Sequence, residues 1–206
     1  MINDYTCNIL RRLLAECFDY ALSTLELNPE NFIEIFCKSS ITKEVEHRNP
    51  KYFCGIAGSE LCEIILSDAG ISLTPKPYVS IDRSAYYWCG DYLGYYQYQK
   101  EFSFKYIFSF ISVSTLLNMY PVYHEMDITN FVEELDRLNK KAPSRLSLLR
   151  QQAHLSQSEL AIASQISIRT IQAYEQKSKD INKAEAATVL KLARVLSCTV
   201  PDLLEQ

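Results

Sequence analysis

The run SQSELAIASQISIRTIQAYE, Ser156 to Glu175, limits what this chain can fold into more than any other stretch, because it specifies two helix starts at a short fixed distance. In SQSE the Ser156 hydroxyl can accept from the amide three residues on while Glu159 reaches back to the Ser156 amide, a reciprocal cap that starts a helix at Gln157. Ser167 is a second cap, so about three residues separate helices expected over 157–164 and 168–175. That is helix-turn-helix spacing. On a helical wheel Ile171, Tyr174 and the cap-side Thr170 share the half of the second helix that packs, while Ile168, Arg169, Gln172 and Ala173 share the half left free. A helix presented this way fits the major groove of B-DNA. There an Arg fork pairs with the guanine O6/N7 edge and a Gln amide with adenine N6/N7.

Around this pair the periodicity predicts helices over 144–152 and 184–196 and a last turn over 201–204, five in all. The segments LSLLRQQAHLSQSELAIASQISIRTIQAYEQ and LKLARVLSCTVPDLLE resemble the helix-turn-helix domain of the Cro and phage-repressor type, also called XRE-like, over residues 144–206. The resemblance implies that Gln157 binds a phosphate and braces the recognition helix, and that Arg150 and Glu175 form an ion pair tying the first helix of the domain to the third. It also implies base reading by Ile168, Arg169, Gln172 and Ala173, and a backbone contact by Thr170. Lys177, Lys179 and Lys183, in a connection longer than the family's usual one, are expected near phosphates. Residues 144–206 contain no glycine. Gln165, Lys177 and Ser197 stand where the family turns left-handed, a conformation that costs a non-glycine residue about 1 kcal/mol or more, so these turns are expected to differ in shape.

Charge divides the chain at the same place. Residues 1–143 hold 13 Lys and Arg against 19 Asp and Glu, net -6, whereas residues 144–206 hold 8 against 6, net +2, together the chain's -4. The C-terminal part can approach a polyanion, and the N-terminal part suits a different partner. The expected fold is all-α: an acidic helical sensing or interaction domain over 1–143, then the five-helix reader over 144–206. N-terminal helices are expected over 7–25, 29–38, 59–68, 84–99, 102–109, 114–119 and 128–139.

In the N-terminal part Trp88, Tyr92, Tyr95 and Tyr96 recur at helical spacing with Gly90 and Gly94, which reads as a core stripe admitting a neighbouring helix closely. Tyr86, Tyr87 and Tyr98, on the other side of the wheel, are candidates for a partner surface. His47 and His124 lie beside carboxylates but in no metalloprotease or nucleophile-base pattern, and no glycine-rich phosphate loop occurs, so no catalytic residue, metal or cofactor is expected. Seven scattered cysteines without a C-x-x-C pair read as small buried thiols in a reducing compartment. Without a signal sequence or a long apolar run, a cytoplasmic protein off the membrane is expected. The layout looks like that of bacterial regulators whose front domain dimerises or senses, and antitoxins of toxin-antitoxin pairs share it. Two readings follow: a repressor, expected to be a homodimer on double-stranded DNA, and an antitoxin whose residues 1–143 bind a toxin while the C-terminal domain autoregulates the operon.

Overall fold

A computed structural model of the protein describes residues 5–72, 74–79 and 83–205, and every regular element among them is a helix. The chain forms two compact units, Met1–Asp136 and Arg137–Gln206. The first contains α1 (Tyr5–Asp19), α2 (Pro29–Lys38), α3 (Ser40–Glu46), α4 (Pro50–Phe53), α5 (Gly58–Asp68), α6 (Ala85–Lys100), α7 (Phe104–Phe110) and α8 (Val113–Tyr123). Helix α9 (Ile128–Lys141) spans the division, and the second unit continues with α10 (Arg145–Gln152), α11 (Gln157–Ser164), α12 (Ile168–Glu175), α13 (Ala186–Val195) and α14 (Val200–Leu203). No helix among the described residues is long and apolar enough to cross a membrane.

In the first unit α1 is the central element, with Leu10, Leu14, Ala15, Cys17 and Phe18 wholly buried. Glycines let two helices come against it. A Cβ on Gly90 of α6 would stand 2.3 Å from the Leu14 carbonyl oxygen, and one on Gly58 of α5 would stand 2.4 Å from the Glu16 Cβ. Trp88, Tyr92 and Tyr96 of α6 are buried, and Phe131 of α9 packs edge-on to the first two at 5.4 and 5.2 Å. Tyr95 is half-buried instead, under the Arg11 guanidinium at 5.5 Å, while that guanidinium makes a two-pronged bridge to Asp91 at 2.7 and 2.9 Å.

Sequence expectation and structure part in three places here. The first helix ends at Asp19 and passes into a wider π turn, Tyr20–Thr24, which keeps Tyr20, Ala21 and Leu22 buried in succession. Helices α3 and α4 lie outside the expected helices; α3 is capped by Ser39, and α4 by Asn49 with Pro50 in its first turn, so Asn49-Pro50 starts a helix. Of the cysteines, Cys54 is exposed and Cys37 and Cys198 are partly so, while burial pushes the Cys89 thiol up to about 12.

The second unit packs around Leu146, Leu160, Ile171, Tyr174, Ile181, Leu192 and Leu203. Its glycine-free turns keep the left-handed backbone, contrary to the expected change of shape: φ is 55° at His154, 55° at Gln165, 53° at Lys177 and 52° at Ser197. The reason is in the hydrogen bonds. After α11 the Ile166 amide donates to the Ala161 carbonyl and the Gln165 amide to Ile162, the paired closure of a Schellman motif. The same pair closes α10 (Leu155 to Arg150, His154 to Gln151), α12 (Ser178 to Ala173, Lys177 to Tyr174) and α13 (Cys198 to Ala193, Ser197 to Arg194). Leu155, Ile166 and Cys198 each follow the left-handed residue and pack on the core. Two satisfied carbonyls at each turn, and an apolar anchor at three of the four, thus offset a backbone cost of about 1–2 kcal/mol per turn.

Candidate nucleic-acid interface

Both caps form as the residues dictate. The Ser156 hydroxyl accepts from the Glu159 amide at 3.1 Å and the Glu159 carboxylate accepts from the Ser156 amide at 2.7 Å; the Ser156 side chain first, and its amide second, hold the Glu159 carboxyl below its ordinary pKa. Ser167 accepts from the Thr170 amide at 3.1 Å and also meets the Thr170 hydroxyl at 2.8 Å. Helix α11 therefore ends at Ser164 and α12 begins at Ile168, with Gln165 supplying the left-handed turn.

Helix α12 is two-faced. Ile171 and Tyr174 are buried, whereas Ile168 is 39% exposed and Arg169 is exposed. Thr170, Gln172 and Ala173 lie at the margin, half-buried. No described residue hydrogen-bonds or pairs with the Arg169 guanidinium. Ile162 on α11, 79% exposed, is a further apolar side chain in solvent.

Beneath this face lies a buried polar chain. Arg150 grips Glu175 through Nε at 2.6 Å and Nη2 at 3.1 Å, while its Nη1 donates to the Leu155 carbonyl at 2.6 Å. The side chains are only 13% and 6% exposed, and the hydrogen bond to Glu175 raises the Arg150 pKa above its ordinary value. The pair ties α10 to the end of α12.

Its charge also sets a direction. A carboxylate only accepts, so Gln157 must turn its Nε2 to Glu175, which it does at 2.7 Å. The Gln157 carbonyl oxygen is then the end left for Gln172, whose Nε2 donates to it across a long 3.4 Å contact. Gln172 keeps its carbonyl oxygen and one N–H unspent, the combination that matches an adenine edge.

The three lysines separate. Lys177, expected at a phosphate, turns inward: its Nζ donates to the Asn139 carbonyl at 2.8 Å and the Asn139 side chain at 3.0 Å, and lies 3.7 Å from Glu205. Burial lowers its pKa, with Glu205 opposing, and its side chain is 14% exposed. It follows α12 with φ of 53°, and its side chain meets Asn139 and Glu205 of the same unit. Lys179 is exposed with its ammonium 5.3 Å from the Tyr174 ring, and Lys183 is exposed beside Asp180 at 3.7 Å.

In the other unit Tyr86, Tyr87 and Tyr98 are all half-buried. Tyr87 lies under Arg83 at 5.7 Å and Tyr98 under Arg48 at 4.7 Å, contacts within that unit. His47 and His124 each direct Nδ1 at the carbonyl four residues back, at 2.6 and 2.7 Å. Among the described residues no group of three or more His, Cys, Asp or Glu side chains is placed to hold a metal.

No curated protein and no solved structure matches the chain. A protein-family model described as helix-turn-helix matches residues 146–203, the span that holds the capped pair, the buried ion pair and the four Schellman closures. Residues 146–203 are therefore a helix-turn-helix domain of the Cro and phage-repressor type, the DNA-binding domain of a transcription regulator.

Proposed function

We propose that the chain is a sequence-specific transcriptional repressor, acting in the cytoplasm without enzymatic activity, in which α12 lies in the major groove. Ile168, Arg169, Gln172 and Ala173 meet base edges, Gln157 and Thr170 meet the backbone, and Lys179 and Lys183 supply phosphate attraction. The observation that carries this is the separation of faces on α12: Ile171 and Tyr174 are spent on the core, while Ile168 is exposed, Arg169 has no partner among the described residues and Gln172 has hydrogen-bonding capacity left. In this reading the first unit, net -6 over residues 1–143, is an interaction module that brings two copies together on paired half-sites. Selection from random-sequence duplexes with the purified chain tests it. The expected result is a two-fold-related motif with half-sites about one helical turn apart, roughly 34–36 Å. Affinity should fall with salt at a slope of about -0.9 per phosphate neutralised. Selection that enriches nothing contradicts sequence reading.

The acidity of residues 1–143 favours a second reading, an antitoxin whose first unit holds a basic toxin while the helix-turn-helix domain autoregulates the operon. Recovery of a basic protein in stoichiometric complex with the native chain supports it. Recovery of a homodimer alone supports the repressor.

A further inference from the structure

We propose that the first unit carries a binding site for a small primary amine with an apolar body, in a cavity of about 260 Å³ between the π turn and α5. This inference does not depend on the DNA reading.

The chemistry of the cavity is set by Tyr20 and Glu63, which both line it. Tyr20 is wholly buried at the head of the π turn. Its hydroxyl donates to Glu63 Oε1 at 2.7 Å and accepts from the Lys76 amide at 3.1 Å, so its one proton is committed. Burial together with the Glu63 hydrogen bond raises the Tyr20 pKa, which keeps the phenol neutral. Glu63 is half-buried, and among the described residues no lysine, arginine or histidine pairs with it. The cation nearest in sequence to this corner, Lys76, sends its ammonium to the Thr24 carbonyl instead, at 2.9 Å. Glu63 therefore lines the cavity with no cationic partner among the described residues, and a cationic ligand there would pair with it.

The rest of the lining selects the kind of cation. Leu25, Leu66, Ile71 and Pro75 form an apolar wall. Ser67, Ser72 and Thr74, all exposed, also line the cavity, and their hydroxyls have no hydrogen-bond partner among the described residues. A primary ammonium has three N–H donors, one for Glu63 and the others for hydroxyls. A quaternary ammonium has none and needs several aromatic faces, whereas Tyr20 is the one aromatic among the described residues lining this cavity. Size limits the body: an apolar cavity of about 150 Å³ holds a benzene ring, so this one takes a ring with a short amine tail. A carboxylate or phosphate ligand is repelled by Glu63.

Calorimetric titration of the full chain with 2-phenylethylamine, and with 2-phenylethanol as its uncharged counterpart, tests the assignment. The amine should bind saturably, at least about tenfold more tightly than the alcohol. Glu63→Gln, which keeps an acceptor for Tyr20, should bring the two ligands within about twofold of each other. Ile71→Trp, which fills the cavity, should abolish binding of both, and it supplies the test should Glu63→Gln not fold. An amine that fails to saturate by about 10 mM, well above the range of a built site, overturns the proposal. So does an amine that binds no better than the alcohol, keeps its advantage in Glu63→Gln, or still binds the folded Ile71→Trp chain.

Discussion

Replacing Glu175 by alanine leaves the Arg150 guanidinium buried with only the Leu155 carbonyl to accept from it, and deprives Gln157 of its 2.7 Å acceptor. The pair is too enclosed to be treated as a surface bridge, its side chains being 13% and 6% exposed. Removing one member of such a pair costs roughly 3–5 kcal/mol, because the other keeps its desolvated charge. A unit the size of Arg137–Gln206 has a stability of roughly 4–10 kcal/mol at ordinary values per residue, so the loss is a large share of the whole. At about 4–8 °C per kcal/mol for a domain of this size, the midpoint should fall by at least about 12 °C. Arg150→Met combined with Glu175→Leu removes both charges and fills the space, and should lie within about 1–2 kcal/mol of the natural chain. Urea unfolding of the single and double variants, followed by circular dichroism, closes the cycle. A loss under about 1 kcal/mol for Glu175→Ala, or a double variant as damaged as the single, would refute the reasoning.

Three more outcomes follow from the same geometry. Gln165→Gly should stabilise the second unit by about 0.5–1 kcal/mol in a thermal melt, since relief of left-handed strain outweighs the added freedom of the unfolded chain. Lys177→Met should destabilise the unit yet leave the slope of log affinity against log salt unchanged, while Lys179→Ala and Lys183→Ala should each reduce that slope by about 0.9 with folding intact. Gly90→Ala should destabilise the first unit by about 1–3 kcal/mol or more in denaturant unfolding, because its Cβ would meet the Leu14 backbone at 2.3 Å; no change there would mean that α1 and α6 pack less closely.

Features written within one turn of helix were legible in the sequence. The Ser156–Glu159 box and the Ser167 cap depend on side chains reaching amides two or three residues away, and both form. The outward Arg169 and the buried Ile171 and Tyr174 follow from helical period alone. Contacts across long separations were not legible in this way. Arg150 and Glu175 stand 25 residues apart, and family resemblance rather than spacing pointed to them. Lys177 meets Asn139 across 38 residues, and nothing near KSK in the chain signals an inward lysine. The turns at Gln165, Lys177 and Ser197 kept their shape for another reason: side-chain preference argues against a left-handed backbone, while closure by backbone amides at all three, with an apolar residue following Gln165 and Ser197, outweighs it. In the first unit, Asn49-Pro50 carried a readable helix start, an Asn cap followed by Pro in the first turn, outside the expected helices.

The central claim is that the free face of α12 reads bases while its other face only packs, and Arg169→Ala isolates it because the side chain has no partner among the described residues. The measurement is the affinity of the natural chain and this variant for every single-base substitution of the selected operator, at one salt concentration, with melting curves of both proteins. The account predicts unchanged melting and a loss of discrimination of about 1–3 kcal/mol confined to one base pair of each half-site. Equal weakening at all positions, or an unaltered preference profile, would contradict it.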